Sequence, residues 1–195
     1  MLKGMYYKLP YYVYLKNEKY YINTDFRIFI EYEEEMQGKD KKQASINCLS
    51  KFYPAFLKII EKGLLDEAID KFIWFYKCDK PDVTFKSKGG KLKKQVFSYK
   101  YDDLYIWGAF KQYFNVDLTR VNLHWWKFRA MWLSLPREAE FSKIKGYRSY
   151  DGKDKDILDL KEYYKLPKNE NEISDELRRN EIYESLKQNE RWLKW

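Results

Sequence analysis

LHWWKFRAMWLSLPREAEFSKIKGYRSYD, residues 123–151, decides the fold of this 195-residue chain. It holds three of the seven Trp and the only His. At roughly 100° per residue its first half carries two apolar stripes. Leu123, Trp126, Ala130 and Leu133 make one; Trp125, Phe128, Trp132 and Leu135 make the other. A helix that is apolar on two opposite faces is buried between layers, so the pattern predicts a central helix with packing on both sides. His124 falls beside Lys127 on that helix, as a core or interface histidine. Past Pro136, Glu138 to Lys145 read as a short helix stopped by Gly146, with Tyr147 and Arg148 in the turn that follows. An Arg beside a Tyr in such a turn caps carbonyls or stacks on a ring, and in an enzyme it clamps an anion.

Outward from this stretch the helical pattern continues. Tyr101 to Phe114 predicts a helix with Ile106, Trp107, Phe110, Tyr113 and Phe114 inward; Asn115 suits a left-handed C-cap. Asp117 or Thr119 is then the cap of the central helix. Leu64 to Lys77 is amphipathic, with Leu65, Ala68, Ile69, Phe72, Phe75 and Tyr76 on one face. Ala44 to Lys51 is helical, Pro54 forces a break, and Gly63 ends the next piece. Thr24 caps a helix from Asp25 to about Gln37, whose Glu31, Glu33, Glu34 and Glu35 read as a solvated face. Tyr11 to Leu15 and Tyr20 to Ile22, joined through Lys16, Asn17 and Glu18, read as a β-hairpin. Such a hairpin is marginal alone and must pack on helices or on another chain.

The predicted fold is therefore mainly α: a helical bundle around a central aromatic helix, with a small N-terminal β-hairpin and a charged C-terminal helical extension. Residues 1–151 form the body, interrupted by a flexible Lys-rich loop at 79–95. Residues 152–195 form the extension, with helices over Lys153 to Lys165 and Ile173 to about Leu193, and with Trp192 and Trp195 at its end. The net charge of +8 falls to +3 without the five Lys of KSKGGKLKK, residues 86–94. The rest of the chain is thus only mildly basic, which argues against a structured nucleic-acid face. Cys48 and Cys78 lack metal or redox spacing and read as reduced thiols in helices. One His, no glycine elbow and no phosphate loop argue against an enzyme. No apolar run is long enough to cross a membrane, and the N-terminus lacks a signal-peptide core, so the expected location is the cytoplasm of the cell that makes it.

HWWKF followed by FSKIKGYRS resembles the signature block of the phage gene-product-fifteen family. YYINTDFRIFIEYEE, AIDKFIWFYKCDK and FSYKYDDLYIWGAFKQYFNVDL are similar to three further blocks of that family, in the same order over roughly residues 10 to 151. The resemblance implies a bacteriophage or prophage tail-module protein encoded near the tape measure gene, with no enzyme activity. It implies a tail assembly chaperone in the bacterial host, with the tape measure protein as partner and the tail tube protein and self-association as further contacts. No catalytic, cofactor or metal site is expected. The candidate core or partner-interface residues are Trp125, Trp126, Phe128, Trp132, Phe141, Tyr147, Arg148, Trp192 and Trp195. A basic nucleic-acid-binding module is the alternative, suggested by a pI of about 9.1 and tested by the salt dependence of binding.

Overall fold

The computed structural model describes residues 8–80 and 95–167. The chain divides between Tyr164 and Lys165, and all but the last three described residues belong to the first unit. Among the described residues the fold is mainly helical, with eight helices and one two-stranded antiparallel sheet. Strands β1 (Tyr12–Leu15) and β2 (Glu18–Tyr21) pair with Val13 opposite Tyr20. Lys16 and Asn17 alone form the turn, both with positive φ (42° and 67°), the conformation that matches the twist of a hairpin. Glu18 lies in the strand rather than in the turn. The Lys16 amide donates to the Glu67 carboxylate at 3.0 Å, and Val13, Leu15 and Tyr20 are buried. The hairpin thus packs on helices, while Tyr11, Tyr12, Tyr14 and Tyr21 face outward.

Helix α1 (Phe26–Glu35) is capped by Asp25, one residue past the expected Thr24. The reason lies elsewhere in the chain: the Thr24 carbonyl accepts from Trp125 N at 2.7 Å, and the Leu123 carbonyl accepts from Phe26 N at 3.0 Å. Asp25 and His124 thereby form an isolated β-bridge that ties the starts of two helices together. The predicted solvated carboxylate face of α1 is only partly so. Glu33 accepts from the Tyr76 hydroxyl at 2.9 Å, Glu34 from the Tyr99 amide at 2.8 Å, and Glu35 from Asn47 at 3.3 Å. Burial raises the pKa of Glu33, and the bond from Tyr76 opposes that rise.

Helices α2 (Lys41–Phe52), α3 (Phe56–Glu61) and α4 (Leu65–Tyr76) follow. Asp40 caps α2 through Gln43 N. Pro54 lies in the break before α3, and Gly63, at φ +64°, ends α3 in the left-handed conformation that a glycine adopts without a Cβ clash. In α4, Ala68, Phe72 and Phe75 are buried as expected, but Leu65 is exposed and Leu64 takes the inner position. Cys78 lies past the end of α4 with φ +55°, not in a helix. The interior is largely aromatic: Phe29 stacks on Trp125 at 4.8 Å and on Phe75 at 5.5 Å, and Phe52 meets Phe72 edge-on.

Helix α5 (Asp103–Phe114) ends on Asn115 at φ 52°, the predicted left-handed cap. Its inner face is Ile106, Ala109 and Phe110; Trp107 and Tyr113 are exposed, against expectation. Trp107 instead donates its indole N–H to Asp117 at 3.0 Å. Asp117 also accepts from the Thr119 amide and hydroxyl. These bonds draw its pKa down to about 2 and occupy it in a turn, so it does not cap the next helix.

Helices α6 (Trp125–Leu133), α7 (Glu140–Ser149) and α8 (Lys155–Tyr163) complete the described chain. Helix α6 packs against α1 and α5, α7 against α5, and α8 against α7. Asp154 caps α8 by accepting from Asp156 N. The expected stop at Gly146 does not occur, because α7 runs through it to Ser149. A glycine ends a helix only where the chain turns into the left-handed region, and Gly146 has no positive φ. Tyr147 and Arg148 therefore lie on a helix, not in a turn. The Lys-rich stretch 86–94, the helix expected over 173–193, and Trp192 and Trp195 lie outside the described residues.

Candidate functional site

His124 is the N-cap of α6 rather than a residue within it. Its ring Nδ1 accepts from the Trp126 amide at 3.1 Å, and its Nε2 lies 3.1 Å from the Pro10 carbonyl. A carbonyl only accepts and an amide only donates. These partners therefore select the neutral ring with its hydrogen on Nε2. Burial lowers the His124 pKa, the bond to Pro10 opposes this, and Lys127 lowers it further.

The two indoles that follow act on another helix. The last carbonyls of an α-helix have no intrahelical partner. Trp125 Nε1 donates to the Tyr76 carbonyl at 2.9 Å and Trp126 Nε1 to the Phe75 carbonyl at 2.8 Å. HWW thus starts one helix and finishes another. Trp125, Phe128 and Trp132 then bury their rings in one face: Trp125 lies parallel to Tyr76 (11°, 5.7 Å), and Phe128 stacks between Phe26 at 4.8 Å and Phe110 at 5.0 Å. Trp132 meets Phe141, itself fully buried, at 5.0 Å.

Among the described residues, the second predicted stripe has no layer over its Ala130 and Leu133 end. Leu123 is buried, but Trp126 is half-buried, Ala130 is exposed and Leu133 is 75% exposed. These three residues line a groove of about 580 Å³ together with Leu9, Cys78, Lys77, Lys80, Lys127 and Arg129. Among the described residues the expected packing on both sides holds at Leu123 and in part at Trp126 but not at Ala130 and Leu133: helical periodicity reports which positions are apolar, not what covers them. Among the described residues, the cationic side chains of Lys77, Lys80, Lys127 and Arg129 line the groove, and the Arg129 guanidinium lies over the Trp125 ring, 5.5 Å from its centroid. Asp79, between Cys78 and Lys80, accepts from Trp74 Nε1 at 2.8 Å.

Arg148 is buried on α7 and grips Asp102 at the start of α5, with Nη1 to Oδ2 at 2.6 Å and Nη2 to Oδ1 at 2.8 Å. It also donates to the carbonyls of Tyr164 and Val96. Tyr147 stacks on Tyr164 at 5.9 Å. The expected core or interface residues therefore separate by role. Trp125, Phe128, Trp132 and Phe141 come together in the interior, Trp126 reaches the groove, and Tyr147 and Arg148 brace α7 against α8. Sequence reasoning missed Asp102 as the partner of Arg148, and missed Lys77, Lys80, Lys127 and Arg129 as one basic rim. The available signal was the spacing of Lys127 and Arg129 on either side of the outer stripe. Among the described residues, no cluster of His, Cys, Asp and Glu is arranged to hold a metal ion, and no helix is long and apolar enough to cross a membrane.

The described body is an α-helical domain whose aromatic signature helix is packed on one face and lines an apolar, basic-edged groove with the other. The family model described as Bacteriophage Gp15 protein matches residues 5–172, most of the chain, and the protein belongs to that bacteriophage family. No curated protein and no solved structure shows a significant match to it.

Proposed function

We infer that this bacteriophage protein is a tail assembly chaperone that covers apolar helical segments of the tape measure protein in the host cytoplasm, until the tail tube protein replaces it. The observation that carries the reading is the outer stripe of α6. Ala130 and Leu133 stay exposed within the described body, on a helix whose opposite face is closed by rings. A chaperone for long helices needs such a surface: apolar enough to shelter a helical stripe, shallow enough to release it. The reading requires no catalytic group, cofactor or metal.

A basic nucleic-acid-binding module is the second reading, favoured by the four cations along the groove. Co-expression with the adjacent long tail gene, purification at high salt and a parallel DNA titration separate the two. The chaperone reading expects a complex with the tape measure protein that survives high salt. Absence of a complex with any tail protein, together with DNA binding that weakens steeply as salt rises, supports the nucleic-acid module instead.

A further inference from the structure

We propose that Lys145 is an acylation site, whose amine takes an acyl group from an acyl phosphate or an acyl thioester. The site does not depend on the chaperone reading. Lys145 is half-buried on α7, one turn beyond Phe141. Its Nζ lies 4.6 Å from the centroid of the Phe141 ring and 5.3 Å from that of Trp132. Phe97 closes on the same two rings, at 5.1 Å from Trp132 and 6.3 Å from Phe141. Among the described residues no carboxylate, carbonyl or hydroxyl accepts from this amine. The ammonium thus exchanges water for ring faces, with no counter-charge beside it.

That exchange favours the neutral amine. A buried charge without a counter-charge is costly, and attraction to an aromatic face offsets only part of the cost. Burial accordingly lowers the Lys145 pKa. A lysine desolvated in an apolar pocket is an activated nucleophile, because more of it carries a free lone pair near neutral pH. In the reaction the Nζ lone pair attacks the acyl carbonyl carbon. The bond from that carbon to the phosphate oxygen, or to the thioester sulfur, breaks with its electron pair, and phosphate or thiolate leaves. The nitrogen gives one proton to water, and the product amide is neutral. The acylated side chain therefore rests on the rings without the charge that made burial costly.

Two other lysines separate the causes. Lys143, on the same helix, is exposed and pairs with Glu140 at 3.5 Å. Lys19 is exposed although its Nζ lies over two rings, 3.9 Å from the centroid of Tyr12 and 4.8 Å from that of Tyr21. The test treats full-length protein with acetyl phosphate in one arm and a small acetyl thioester in the other, folded and in urea, and follows each lysine by mass spectrometry. In the folded protein Lys145 is expected to be acetylated about threefold or more faster than Lys143 and Lys19, and in urea at their rate. Its rate is expected to level off with rising pH below about 10.4, the ordinary lysine value. Selective labelling by either donor supports the site and names the donor. A folded-state rate at Lys145 no higher than at Lys143 would overturn the proposal, as would an excess that persists in urea. An equally fast Lys19 would also overturn it, by assigning the reactivity to ring contact rather than to burial.

Discussion

Removing Arg148 tests the course of the chain through Gly146. In the turn that the sequence suggested, Arg148 would be a surface side chain, and its loss would fall within about 0.5 kcal/mol. On α7 it makes four hydrogen bonds, two to the Asp102 carboxylate and two to the carbonyls of Tyr164 and Val96. Asp102 is 1% exposed. After Arg148→Ala its carboxylate keeps the Ser98 amide, at 2.9 Å, as a donor. Breaking a buried pair by removing one partner costs about 3–5 kcal/mol, because the other charge stays desolvated. At about 2–4 °C per kcal/mol for a chain of this length, the melting temperature falls by about 6–20 °C. Asp102→Ala strands the guanidinium and has a similar cost. The double variant strands neither charge, so its loss falls short of the sum of the two by about 1–3 kcal/mol. Urea unfolding followed by Trp fluorescence gives all three values. Single losses below about 1 kcal/mol that add without coupling would refute the buried pair and the helix that carries it.

Phe128→Ala is expected to cost about 3–5 kcal/mol, because it empties a site between two stacked rings. Leu133→Ala stays within about 0.5 kcal/mol in the isolated protein; similar losses at both positions in denaturant titrations would contradict an α6 packed on one face. Trp125→Phe leaves the Tyr76 carbonyl without its indole donor and costs about 1–3 kcal/mol in the same assay, whereas no loss would show that the indole does not cap α4. For His124, burial holds the folded pKa below the ordinary 6.5, so the unfolded chain takes up its proton first on acidification. Its contribution is complete above about pH 6.5 and lost as pH falls through the lower folded value; His124→Asn, which keeps a capping oxygen, flattens that part of a stability-versus-pH curve, and a parental stability that rises on acidification there would count against the assignment. Burial pushes the thiol of Cys48 up to about 12 and that of Cys78 to about 11, so both react slowly with iodoacetamide near neutral pH until the protein unfolds, and rapid labelling of native Cys48 would be inconsistent with its site.

Local signals were legible wherever one segment decided its own structure. The Tyr-, Val- and Ile-rich runs on either side of Lys16 to Glu18 marked the hairpin, Asn115 marked the end of α5, and the spacing of Ala68, Phe72 and Phe75 marked the inner face of α4. Readings failed where a distant partner decided. His124 is not a favoured capping residue. It caps α6 because the Thr24 carbonyl and the Pro10 carbonyl, both from the other end of the chain, fix the backbone and ring there. Gly146 reads as a stop, but Asp102, Val96 and Tyr164 hold Arg148 in the helix that continues beyond it.

The outer stripe of α6 failed for a different reason. Its periodicity was read correctly as apolar, and the error lay in assuming that every apolar position on a helix is covered within the described body. Singly exposed apolar residues are ordinary on protein surfaces. Trp126, Ala130 and Leu133 are continuous, share one groove and adjoin four cations. They also sit on the helix whose first three residues, counting the cap, join α1, α4 and α6. A change in how that stripe is covered acts on the rigid junction of the fold rather than on a loose loop. On the chaperone reading, the partner's helix supplies the layer that α6 lacks among the described residues. Binding should therefore slow hydrogen exchange at the Trp125 and Phe26 amides, which bridge the two helix starts, as well as in the groove itself. Protection confined to groove residues would place the partner on the surface without coupling to the core.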